Sequence, residues 1–100
     1  MEDVNINDLV KNWFDTAKYD YETMISLLKS KRYSDSLFYG HLVLEKILKA
    51  LVVQKTKSHA KPIHNLIILE EDAKIDFSKN YLEFLTEVNR FNIRARYPDY

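Results

Sequence analysis

The side chains best suited to chemistry stand in two places: a basic strip over residues 90–97, and a polar line inside an otherwise apolar stretch near the middle of the chain. The strip holds Arg90, Arg94, Arg96 and Tyr97. A guanidinium grips phosphate with two parallel hydrogen bonds and stays protonated, so these arginines can hold an anion but cannot remove a proton. Arg90 and Arg94 also share a helix face with Glu83 and Glu87. The plain alternative there is a row of solvated ion pairs, each worth about 0.3 kcal/mol. Tyr97 precedes Pro98, which favours an extended backbone; its ring could simply pack on the fold.

The polar line is His41, Glu45 and Lys49, spaced four apart among leucines, isoleucines and valines. Polar groups in such a setting must find partners or reach the rim. The spacing predicts an ion pair between Glu45 and Lys49, with His41 bonded to a neighbour. The alternative is a line facing the strip, with Glu45 orienting Arg90 through a charge-assisted bond. His59 and His64 flank Pro62 without a carboxylate or thiol cluster, a weak pattern for metal, and His64 is expected to cap or bond backbone at the start of a helix. With no cysteine, one glycine and no Ser-His-Asp arrangement, we expect no metal, no cofactor and no phosphate loop of the glycine-rich kind.

These residues need helices to position them. Leu9, Val10, Trp13, Phe14, Ala17, Tyr21, Met24, Leu27 and Leu28 recur at three and four, predicting a helix over 7–28 with Asn5 or Asn7 as its cap. A short polar link, residues 29–33, favours an antiparallel hairpin. A second helix is expected from a cap at Ser34 or Asp35 to about 55. It is apolar around most of its circumference, which places it at the centre of the domain or on a dimer interface. Gly40 within it costs about 1 kcal/mol relative to alanine, a cost best explained by close approach of a neighbouring helix. A third helix is expected over 63–73, with Ile63, Leu66, Ile67 and Leu69 facing inward. A fourth, capped by Ser78, carries the stripe Tyr81, Phe84, Leu85, Val88 and Phe91 and ends before Pro98.

Composition narrows the setting. The 100 residues carry 15 basic and 15 acidic side chains and are 46% hydrophobic, which suits one ordered domain spanning residues 1–100. Charge alternates in blocks: acidic over 1–30, basic over 31–64, acidic over 65–89, basic over 90–100. A general duplex-coating protein carries an overall basic excess, so any RNA contact must be local or shared between subunits. No run approaches the roughly 20 apolar residues that span a bilayer, and the first residues lack the pattern of a signal peptide, so we expect no membrane contact and a cytoplasmic protein.

Two segments carry a family resemblance. One is His41-Leu-Val-Leu-Glu45-Lys46-Ile-Leu-Lys49-Ala50-Leu51, followed by His64-Asn65-Leu66; the other is Arg90-Phe-Asn-Ile-Arg94-Ala95-Arg96-Tyr97-Pro98-Asp99. In this order they resemble the prokaryotic HEPN domain over residues 7–100. The resemblance implies an all-α, up-and-down bundle of four to five helices, usually a homodimer. Many members are metal-independent RNases using Arg-x(4–6)-His paired across the dimer. One branch is encoded beside a small nucleotidyltransferase in a toxin–antitoxin-type pair; there the motif resembles Arg-x4-His-x-Tyr, and its tyrosine can receive nucleotide. Laid on Arg90, the arginine and tyrosine keep their places, but Ala95 stands where histidine is expected. Histidine, with a pKa of about 6.5, suits the general base; alanine cannot serve. The expectation is a binding module, impaired as an enzyme, that holds nucleotide or RNA phosphate and engages a nucleotidyltransferase. The alternatives are an RNase with Arg90 and a different base, or a stand-alone nucleotide-binding helical domain.

Overall fold

The computed structural model describes residues 5–96, with side chains to residue 91. Four helices follow in order: α1 (Ile6–Lys29), α2 (Tyr33–Thr56), α3 (Leu66–Ala73) and α4 (Lys79–Arg96). The chain is all-α, as its 3.6-residue periodicity predicts.

Asn5 caps α1, its side chain accepting from the Asp8 amide. The link to α2 is only residues 30–32, closed by Arg32 N–H donating to Leu27 O and by Lys31 in the left-handed region (φ 60°). α2 starts two residues earlier than the sequence suggested. Its N-cap is Arg32, with no side-chain cap bond, so neither Ser34 nor Asp35 caps it. Ser36 instead ties the hairpin, its hydroxyl donating to Met24 O across the two helices. α2 and α3 also end on left-handed lysines, Lys57 and Lys74. Glycine usually takes such positions because a Cβ disfavours them; this chain has only Gly40, and it lies within α2.

α3 begins three residues later than expected. Asn65 caps it by accepting from the Ile67 and Ile68 amides, which leaves Ile63 and His64 in the preceding loop. α4 starts directly after Ser78.

α2 is the central element, packed against α1, α3 and α4. One core group joins Leu48, Val52, Leu66, Leu69, Ala73 and Leu85, and another joins Val10, Ala50 and Val53. Gly40 sits where α1 comes close: a Cβ there would meet Met24 Sδ at 3.3 Å. Among the described residues α1 and α4 do not approach each other, so a groove opens between them over α2. The α4 stripe is correspondingly less covered than its periodicity suggested. Leu85 is buried, but Tyr81, Phe84 and Phe91 are exposed. No helix among the described residues is long and apolar enough to cross a membrane.

Candidate functional site

The polar line on α2 lies inside the bundle. His41, Glu45 and Lys49 are all buried, and Glu45 is their hub. Its Oε2 accepts from Lys49 Nζ at 3.0 Å, and its Oε1 lies 3.6 Å from His41 Nδ1. A third partner comes from outside the helix: His64 Nδ1, 3.0 Å from Oε1. His64 therefore bonds a side chain of α2, and the cap of α3 is Asn65, not His64. Lys49 completes the seam from the other side, with Nζ 5.3 Å from the centroid of the Trp13 ring on α1. Beside it, buried Asp20 of α1 pairs with Lys46 of α2. Buried charges stay tolerable only when paired in this way.

This arrangement separates Glu45 from Arg90. The Arg90 guanidinium pairs with Glu87 one turn back, Nη2 lying 2.7 Å from Oε1 and 2.6 Å from Oε2. Both partners are exposed, with Arg90 at 57%. The alternative in which Glu45 orients Arg90 is not what the structure holds, because Glu45 is already occupied by Lys49 and His64. Arg94 and Arg96 lie on the last turns of α4, while Tyr97 lies outside the described residues.

The two groups of candidates nevertheless meet through a polar contact absent from the sequence reading. Asn89, next to Arg90, accepts from the Leu66 amide at 3.0 Å and donates to Asn65 Oδ1 at 3.2 Å. The loop bearing His64 is thus fastened to the turn of α4 bearing Arg90. No local signal could have found this. The asparagines are 24 positions apart, and each looks like an ordinary capping or surface residue.

Electrostatically, the open side of α4 is a cation held by one carboxylate, and chemically it can exchange that carboxylate for another anion. Glu87 also lines the groove between α1 and α4, a space of about 470 Å³ walled by Tyr21, Leu37, Phe84 and Phe91. Among the described residues no group of three histidine, aspartate or glutamate side chains is arranged to hold a metal ion. The family model for the HEPN domain matches residues 10–100. No curated protein and no solved structure matches the chain.

Proposed function

We propose, from the premise that this chain belongs to the HEPN domain family, that it holds the phosphate of a nucleotide or RNA with Arg90, Arg94 and Arg96. Ala95 leaves it impaired as an RNase. The observation that carries the reading is the state of Arg90. Its guanidinium is exposed and held only by an equally accessible glutamate among the described residues. An exposed pair of this kind contributes about 0.2–1 kcal/mol, so an incoming phosphate displaces Glu87 at small cost. Arginine keeps its charge throughout, and the bidentate fit favours phosphate over a simple point contact.

The homodimer and the nucleotidyltransferase partner of a toxin–antitoxin-type pair belong to the same reading. The apolar groove beside Arg90 supports an interface with a protein, since large exposed aromatic faces mark such surfaces. Tyr97 is then the residue on which a partner enzyme would place nucleotide.

Fluorescence anisotropy of a labelled single-stranded RNA, with divalent metal removed, tests the site. Binding should weaken steeply as salt rises and fall at least about tenfold in Arg90→Ala, as loss of phosphate contacts requires. Unchanged affinity in that variant would remove Arg90 from the site. Impairment is tested by gain of function: Ala95→His should raise metal-independent cleavage at least about 100-fold, the scale of a restored general base. Cleavage that stays flat would show that position 95 is not where activity was lost. Intact mass after incubation with a small nucleotidyltransferase of such a pair and ATP tests Tyr97; a Tyr97→Phe variant that still gains adenylate would exclude it.

A further inference from the structure

The loop between α2 and α3 presents a histidine in the manner of an oriented base. The His64 side chain is 57% exposed, yet its Nδ1 is anchored on Oε1 of Glu45, which is only 5% exposed. A carboxylate accepts, so Nδ1 carries the proton and donates it, leaving the lone pair on Nε2. Nε2 has no partner among the described residues. A buried acid fixing one nitrogen and the tautomer, while the other nitrogen faces solvent, is the positioning that histidine bases use in hydrolytic sites.

Its place in the fold adds the second half. Asn65 and Asn89 are hydrogen-bonded, and His64 and Arg90 are the next residues on either side of that pair. The loop that carries His64 and the turn of α4 that carries Arg90 are therefore fastened to each other. The charged or titratable groups facing His64 across it are Glu45, backed by Lys49 and His41, all from α2. From α4 comes neutral Asn89, with Arg90 beside it.

We infer that His64, oriented by Glu45, is the proton acceptor for slow cleavage of single-stranded RNA, standing in for the histidine absent at position 95. The inference rests on the strip holding RNA phosphate. Nε2 takes the proton of a ribose 2′-hydroxyl, and the 2′-oxygen bonds to the adjacent phosphorus. The bond from phosphorus to the 5′-oxygen breaks, and that oxygen takes a proton from water. The imidazolium then gives its proton to the hydroxide left behind. The products are a 2′,3′-cyclic phosphate and a 5′-hydroxyl. Arg90 carries the charge that develops on the phosphoryl oxygens. His64 is the catalytic residue, and Glu45 is a positioning residue that acts through it.

The test uses the full chain with a labelled single-stranded RNA and a DNA of the same sequence, in chelator. RNA should be cut slowly to cyclic phosphate ends, and DNA, lacking the 2′-hydroxyl, should remain whole. His64→Gln keeps a donor for Glu45; it should cut at least about 100-fold more slowly with RNA affinity within about twofold of the parent. Added imidazole should restore at least about tenfold of the rate lost in His64→Gly, which a purely structural histidine would not allow and which decides the matter where the glutamine variant melts early. Per folded molecule, Glu45→Gln should slow the parent about tenfold yet leave the rate of the His64→Gln variant unchanged. RNA that binds but is not cut, or is cut equally well by His64→Gln, overturns this inference and leaves the phosphate site standing. RNA that fails to bind overturns both.

Discussion

The two sides of α2 are built on opposite terms. On the side of α3, the chain is closed: Leu66 and Leu69 have no exposed surface, and the buried Glu45 carboxylate is held by Lys49 and by His64 of the α2–α3 loop. On the side where α1 and α4 diverge, it is open. Tyr81 at 64% and Phe84 at 55% exposure belong to the same α4 stripe as buried Leu85. One helix thus carries a single apolar pattern that is half core and half surface. Periodicity reports which residues share a face, but burial depends on what lies opposite, and α1 does not come near α4.

The comparison can be pressed hardest at the closed side. Glu45→Ala strands Lys49 in the interior without a counter-charge, and should cost about 3–5 kcal/mol. At 4–8 °C per kcal/mol for a chain of this size, the fall in Tm should exceed about 10 °C in a calorimetric scan. A loss below about 1 kcal/mol in urea unfolding would mean that the seam is wet and the contrast overstated. Leu69→Ala should follow at about 2–5 kcal/mol, since a cavity in a site of zero exposure has few ways to collapse. Asn65→Ala removes the side-chain cap of α3 together with the acceptor for Asn89, and should cost about 1 kcal/mol. Phe84→Ser, on the open side, should change stability by less than about 0.5 kcal/mol in dilute protein. If that change instead depends on protein concentration, the face is covered by a second copy in solution and the two sides are more alike than the single chain implies.

Much of the fold was legible because long amphipathic helices announce themselves. α1, the span of α2 and the existence of α4 follow from apolar residues at three and four, and Asn5 from its place before the first turn. Misplacement fell at the ends. Ser34 and Asp35 look like caps, but the three-residue link starts α2 at Tyr33, which puts both inside its first turn. His64 looks like the start of α3, but a buried glutamate 19 positions away claims its ring. The Glu45–Lys49 pair was readable because both partners lie on one helix, four apart.

By itself the sequence determined four helices, a basic C-terminal strip and a polar line at fixed helical spacing. These are properties of composition and of neighbours within one turn. Only the tertiary structure decided that Glu45 also takes His64 while Arg90 stays with Glu87. It alone decided that Asn65 and Asn89 join the loop to the strip, and that half of an apolar stripe remains open. The reason is physical. A side chain's partner across the bundle depends on how the helices cross and on which donor reaches a buried acceptor first, and no local spacing encodes either.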